Sequence, residues 1–229
     1  MSERILIVDD DSSIAEILEF NLKNEGFEVV TAFSAEEALR KELKGFNLIL
    51  LDVMMGGMSG YKMAELIRKD DITTPIIFLT AKDTENDMLT GFSVGGDDYV
   101  SKPFSIKEVI ARVKAILKRA EKQSISNTKE DTLNYGSFVF DFNLKELSIN
   151  NEKIQLTKTE FELLSLLAKQ PDRMFSRENI INKLWSETPY ITERTVDVHI
   201  TRLRKKLGNY ATVISNRTGY GYRFNTDET

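Results

Sequence analysis

The chain has no cysteine and a single histidine, His199, in 229 residues. The first absence excludes disulfides, thiol nucleophiles and zinc–cysteine sites, and the second excludes a histidine-only metal cluster. Long apolar runs are also missing, and none approaches the roughly 18 residues that a membrane-spanning helix needs. The N-terminal run Ile5-Leu6-Ile7-Val8 is cut off by three aspartates, too soon for the apolar core of a secretory signal. The sequence therefore predicts a cytoplasmic protein with no membrane partner. What remains is ordinary for a globular chain: 41% hydrophobic and 29% charged residues, and a length suited to one or two domains.

A formal charge of −5 argues mildly against a nucleic-acid partner, but that charge is unevenly spread. Residues 1–120 hold 15 Lys/Arg against 21 Asp/Glu, and residues 134–229 hold 14 against 12. From position 194 to 223 there are seven basic residues and one acidic residue, Asp197. An acidic front and a basic end point to a two-part protein. The polar stretch 121–133, EKQSISNTKEDTL, is nearly free of large apolar residues and reads as the linker between them.

The front part alternates strand and helix. Continuous apolar runs at Ile5 to Val8, Leu48 to Leu51 and Ile76 to Leu79 have the character of strands buried on both faces, and shorter strands are expected at Glu28 to Thr31 and Tyr99 to Ser101. Ile14, Ile17, Leu18 and Leu22 recur at helical spacing, as do Val109, Ile110, Val113, Ile116 and Leu117. Ser34-Ala-Glu-Glu37 and Ser105-Ile-Lys-Glu108 read as capping boxes. Five strands alternating with helices make an α/β fold with a doubly wound parallel sheet, because right-handed crossovers place helices on both faces.

Carboxylates fall where such a sheet binds ligands, beyond the carboxyl ends of strands at the reversal of strand order. Asp9 and Asp10 follow the first strand and Asp52 follows the third. In a 2-1-3-4-5 order those strands are neighbours, so three anions converge and need a cation. Oxygen-only ligands with room for water suit Mg²⁺. Thr80 and Lys102 end the fourth and fifth strands and can reach the same crevice. A single Asp after a strand is ordinarily a turn or cap residue, and a single lysine a solvated one. Acids, metal, hydroxyl and lysine together describe a phosphoryl-transfer site.

Four runs carry a family likeness: Ile5-Leu-Ile-Val-Asp9-Asp10-Asp11, Leu50-Leu51-Asp52-Val-Met54, Leu79-Thr80-Ala81, and Gly96-Asp97-Asp98-Tyr99-Val-Ser-Lys102-Pro103-Phe104. Residues 4–120 resemble a flavodoxin-like receiver domain of two-component signalling. The resemblance implies that Asp52 is the phosphoacceptor for a sensor histidine kinase. It also implies that Asp9, Asp10, Asp52 and the Met54 backbone carbonyl hold Mg²⁺. Lys102 and Thr80 would contact the phosphoryl group, Tyr99 would turn inward on activation, and the Lys102–Pro103 bond would be cis. Phosphorylation would favour a homodimer whose face includes Asp97, Asp98, Glu108, Arg112 and Arg119. Two positions depart from the family pattern: Gly56 stands where proline is usual, and Thr90 where a basic residue is usual.

The back part reads as an α+β winged helix. Strand character at Tyr135 to Phe140, Glu146 to Ile149 and Lys153 to Leu156 predicts a small antiparallel sheet. Thr157-Lys-Thr-Glu160 is a capping box before an apolar helix, and Ser176 can cap the next. A third helix starts near Thr192 and ends at Gly208. Val196, Ile200, Leu203 and Leu207 form its apolar stripe, while Arg194, Val198, Thr201, Arg202 and Lys205 project opposite. Val213 to Asn216 and Gly221 to Phe224 flank a turn, giving a hairpin with Arg217 and Arg223. A basic helix beside a basic hairpin points to a major-groove reader with a wing.

Residues 134–225 resemble the DNA-binding domain of OmpR/PhoB-type response regulators. The matching runs are Leu156-Thr-Lys-Thr-Glu160-Phe161-Glu162-Leu163-Leu164, the helix from Arg194 to Leu207, and Gly219-Tyr-Gly-Tyr-Arg223-Phe224. That likeness implies base reading by Arg202 and Val198, and contacts to the DNA backbone by Trp185, Arg194, Thr195, His199, Arg204 and Tyr222. The loop from Ser186 to Ile191 would face RNA polymerase. The family wing has Arg where this chain has Thr218, so Arg217 would take over or the wing would grip less tightly. Relatives often carry a basic residue at Thr201.

The sequence thus predicts a receiver at 1–120, a linker at 121–133 and a winged-helix effector at 134–229. The expected function is a phosphorylation-activated transcription regulator on direct-repeat half-sites of double-stranded DNA. An enzyme turning over external phosphate esters would need a second Asp two residues after Asp52 or a nucleotide loop, and neither is present. A DNA-binding regulator with an unphosphorylated, structural receiver is the other alternative, and the complete acid–Thr–Lys set weighs against it.

Overall fold

A computed structural model of the chain describes residues 2–70, 72–81, 84–118, 132–185 and 191–229. The chain divides into two compact units, Met1–Lys118 and Arg119–Thr229. No helix among the described residues is long and apolar enough to cross a membrane.

In the first unit β1 (Arg4–Val8), β2 (Glu28–Ala32), β3 (Leu48–Asp52), β4 (Ile76–Thr80) and β5 (Asp98–Ser101) form a parallel sheet in the order β2-β1-β3-β4-β5. Helices α1 (Ser12–Asn24), α2 (Ala35–Leu39), α3 (Gly60–Lys69), α4 (Glu85–Val94) and α5 (Ile106–Lys118) alternate with the strands. Ile5, Ile7, Leu48, Leu50, Ile77 and Leu79 share a core with Ala15, Leu18 and Leu22 of α1 and Val109, Val113 and Ile116 of α5. The alternate residues Leu6, Val8, Ile49, Leu51, Ile76 and Phe78 are equally buried. Their strands are covered on both faces, which is why they read as unbroken apolar runs. Asp11 caps α1 by accepting from Ser13 and Ile14 N–H. The boxes at Ser34 and Ser105 are half of what the pattern predicts. Each serine accepts the amide three residues on, but Glu37 reaches Phe33 N–H and Glu108 turns to Arg112.

In the second unit β6 (Thr132–Tyr135), β7 (Phe138–Asp141), β8 (Glu146–Ile149) and β9 (Glu152–Ile154) make an antiparallel sheet in sequence order. Three helices follow, α6 (Lys158–Ala168), α7 (Arg177–Leu184) and α8 (Glu193–Leu207), and then the hairpin β10 (Ile214–Arg217) and β11 (Gly221–Phe224). The single strand expected from Tyr135 to Phe140 is two. Gly136, at φ +51, turns the chain, and β6 starts at Thr132, inside the predicted linker. Leu133 and Tyr135 pack on the core there, a contact their polar neighbours conceal in the sequence. The box at Thr157–Glu160 is complete. Val196, Ile200, Leu203 and Leu207 are buried as their spacing predicts, and each such side chain contributes about 1.5–3 kcal/mol by leaving water. The hairpin is stitched to the segment before α7 through Phe175 and Tyr222, whose N–H and C=O groups pair both ways at 2.8 and 2.9 Å. Gly221 permits this approach: its φ is +117, and a Cβ there would lie 1.9 Å from the Phe175 carbonyl oxygen.

Candidate functional site

Because β1 and β3 are neighbours, Asp9 and Asp10 meet Asp52, and one oxygen from each lies within 4.8 Å of the others. Lys102, just past β5, crosses to them. Its Nζ donates to Asp9 Oδ2 and to Asp52 Oδ2, both at 2.8 Å. Backbone amides fix three further oxygens: Asp11 N–H on Asp9 at 3.0 Å, Met54 N–H on Asp52 at 3.0 Å, and Gly56 N–H on Asp10 at 2.9 Å. Burial pushes the Asp9 carboxyl up, against the Lys102 hydrogen bond that lowers it. Burial also opposes the charge on Lys102, but hydrogen bonds to Asp52 and Asp9 outweigh it and hold that amine above its ordinary pKa. With all four groups ionised, three negative charges and one positive leave −2, the complement of a divalent cation. The donor set fits a hard ion such as Mg²⁺.

Thr80 ends β4 and is buried. Tyr99 is already turned inward, with its hydroxyl 3.4 Å from that of Tyr61 and hydrogen-bonded to Thr80. Burial raises its phenol well above the usual range, so it stays protonated. Gly91 in α4 makes the slot, since a Cβ there would sit 3.1 Å from the Tyr99 ring. The Lys102–Pro103 peptide is cis.

In the second unit α8 presents Arg194, Thr201 and Lys205 to solvent, with Val198 half-exposed among them. The hairpin tip adds Arg217, Thr218 and Tyr220, and the Arg217 guanidinium lies 4.4 Å from the Tyr220 ring centre. Arg204 donates to the Ile214 carbonyl and to Asn216, tying α8 to β10. Asp197 accepts from Arg177 and from the Tyr222 hydroxyl, both at 2.7 Å, so α7, α8 and β11 share one polar clasp. The result is a rigid basic helix with a basic hairpin beside it.

Residues 5–114 match the response regulator receiver domain, and 151–224 match the C-terminal domain of transcriptional regulatory proteins. The chain belongs to the OmpR/PhoB-type response regulators. It is 36% identical to the phosphate regulon transcriptional regulatory protein PhoB of Escherichia coli, over 99% of both chains. It is 42% identical to the probable transcriptional regulator ycf27 of Guillardia theta, covering 99% of this chain and 92% of the relative. The Thermotoga maritima response regulator DrrB, an OmpR/PhoB homolog, aligns with a TM-score of 0.53 at 31% identity, over 98% of this chain and 100% of that one.

The response regulator is thus a two-component transcriptional regulator with a DNA-binding domain, whose receiver carries an acidic cluster able to hold a metal ion. Several of the residues singled out in the sequence are buried within their own unit. Asp97 is not a surface charge. It is 1% exposed and accepts from Arg68 at 3.0 Å and from Ile76 N–H at 3.1 Å, joining α3 to β4. Asp98 and Arg112 are buried against each other, and Arg112 also takes Glu108 at 2.8 Å, so these charges are satisfied within the chain. Arg119 lies outside the described residues, as do positions 186–190 of the predicted polymerase loop. Thr90 donates to the Asn86 carbonyl, an internal helix contact.

In the DNA-binding domain Trp185, Thr195, His199 and Tyr222 are buried, and Trp185 packs on His199 with ring centres 5.3 Å apart. In the free protein Trp185, Thr195 and His199 lie inside the domain, while the Tyr222 hydroxyl joins the Asp197 clasp. Arg202 is an ion-pair partner of buried Glu160 at 3.0 Å, and Lys206 takes the other carboxylate oxygen at 2.6 Å. That pairing holds the Arg202 guanidinium to α6 in the free protein. Sequence reasoning missed the Arg177–Asp197–Tyr222 clasp. Its one signal was Asp197, the only acid in a strongly basic run.

Proposed function

We propose that Asp52 takes a phosphoryl group from a sensor histidine kinase and that the phosphorylated chain dimerises on DNA to regulate transcription in the cytoplasm. The observation that carries this reading is the Lys102 bridge to Asp9 and Asp52 at 2.8 Å each, beside Asp10. A carboxylate oxygen of Asp52 forms the new bond to phosphorus as the nitrogen–phosphorus bond of the kinase phosphohistidine breaks. Asp9, Asp10, Asp52 and the Met54 carbonyl would hold Mg²⁺, which would supply charge neutralisation on the phosphoryl oxygens. The Lys102 ammonium is in place for the same oxygens, and the Thr80 hydroxyl donates to them with Tyr99 filling the space behind it. Dimerisation uses the face of α4, β5 and α5, shaped by the Asp98–Arg112–Glu108 cluster rather than by open charges. The chain consumes its own phosphate and turns over no external substrate.

The test is incubation of the full chain with Mg²⁺ and a small acyl phosphate, followed by mass mapping. One phosphate on Asp52 is expected, and phosphate on another residue would refute the assignment. Mg²⁺-dependent beryllofluoride binding separates this reading from a purely structural receiver, which would bind none.

On the DNA side, Arg194, Val198, Thr201 and Lys205 enter the major groove and Arg217 follows the wing to the adjacent backbone, on direct-repeat half-sites that bring RNA polymerase to the promoter. Arg194→Ala is expected to weaken binding to all sequences about equally and to lower the salt slope by about 1. Anisotropy titrations at several salt concentrations read both quantities.

A further inference from the structure

The loop after Asp52 carries two adjacent glycines, Gly56 and Gly57, and the second sits at φ +92. Such a sequence gives a loop little stiffness of its own. It is nevertheless held from two separate elements. Gly56 N–H donates to Asp10 Oδ2 at 2.9 Å, from the end of β1. Met58 N–H donates to Glu36 Oε1 at 3.1 Å, from the first turn of α2. Glu36 lies close over the turn between them, since a Cβ on Gly57 would sit 3.3 Å from the same oxygen. The first bond depends on the residue type at 56, because proline has no N–H to give. Hydrogen bonds from its own amide and from Met58 N–H hold the Glu36 carboxyl below the usual carboxylate range, so it stays an ionised acceptor.

We infer that Glu36 is a positioning residue of the phosphoacceptor site: with Asp10 it clamps the 56–58 loop, replacing by two side-chain acceptors the stiffness that a proline ring would give. The clamp acts on Asp10 directly, because the Gly56 amide fixes one oxygen of a carboxylate that belongs to the Asp9–Asp10–Asp52 cluster. It acts on Asp52 and Met54 through the short loop that joins them to Met58. The inference rests on the phosphoacceptor reading of Asp52.

The experiment measures Mg²⁺ affinity of the full chain by calorimetry and the half-life of phosphate on Asp52, with thermal melts of each variant. Glu36→Ala is expected to raise the Mg²⁺ dissociation constant roughly threefold and to change the phosphate half-life, with the melt retained because Glu36 is exposed. Glu36→Gln keeps an accepting oxygen and is expected to recover much of the loss. Wild-type affinity and half-life in Glu36→Ala would overturn the inference. So would a loss in Glu36→Ala that follows a lowered melt and that Glu36→Gln does not recover. A wild-type chain that takes no phosphate overturns the Asp52 reading itself, and the clamp with it. A chain that is phosphorylated normally but indifferent to Glu36 removes the clamp alone.

Discussion

Asp52→Ala is expected to abolish phosphorylation and, with it, every phosphate-dependent change in DNA binding. Asp52 ends a strand buried on both faces, and its oxygens are held by Lys102 Nζ and Met54 N–H. No neighbour can take over. Asp9 is deeper in the cluster, fully buried, and already engages Lys102 and Asp11 N–H, while Asp10 is tied to Gly56 N–H. The substitution removes one carboxylate from a site that otherwise gathers three against one lysine, so the receiver should remain folded. Linking two DNA-binding domains through a receiver dimer raises avidity by roughly 10²–10⁴. The variant should lose that gain on a two-site DNA while keeping wild-type affinity for a single half-site. Titrations of one-site and two-site DNA with phosphodonor present read the two quantities. A phosphodonor-dependent gain that persists in Asp52→Ala would refute the mechanism.

Glu160→Ala is expected to cost the DNA-binding domain about 3 kcal/mol, the low end for removing one partner of a buried ion pair, because Arg202 and Lys206 keep some access to water. Glu160 has no exposed surface. It receives Thr157 N–H in the capping box and faces two cations of α8, so one carboxylate joins the start of α6 to the recognition helix. Burial raises its pKa, but Arg202 and Lys206 prevail and lower it from 4.5 to about 2. A carboxyl lowered by folding stabilises the fold fully above its unfolded value and loses that contribution as pH falls through the folded one. The domain should therefore lose stability between about pH 4.5 and 2, and Glu160→Ala should be less stable at neutral pH with a flatter slope through that window. Trp185, the single tryptophan, sits in this domain's core, so its fluorescence during urea unfolding reports the domain within the intact chain. An equal slope in both proteins would show that Glu160 is not the group responsible. Base preference is expected to shift in Arg202→Ala only through the tilt of α8, since Arg202 is held to α6.

Legibility in the sequence followed how local the cause was. The five-stranded sheet could be read because Ile5 to Val8, Leu48 to Leu51 and Ile76 to Leu79 are buried on both faces and so show no polar interruption. The acids and Lys102 could be read because each follows a strand, and the strand ends of such a sheet converge. The β6 strand escaped, since TLNY gains its stability by pairing with β7 and not from its own composition. The DNA surface was legible as a face of α8 but not residue by residue. Thr195 and His199 fall beside the buried stripe of that helix, and only the fold puts them inside, His199 against the Trp185 ring.

By itself the sequence determined the two-part plan, the alternation of strands and helices, the acids and lysine at the strand ends and the basic helix, because each is encoded by periodicity or by position at the end of an element. The tertiary structure alone decided which charges remain available to partners. Arg202, Arg112, Asp97 and Asp98 are charged residues that a linear reading places on surfaces, and each is taken up by an opposite charge from another segment: Arg202 by Glu160, Asp97 by Arg68, and Arg112 and Asp98 by each other. A buried charge needs a partner far more than an exposed one does, and that partner is chosen by the fold, not by neighbours in sequence.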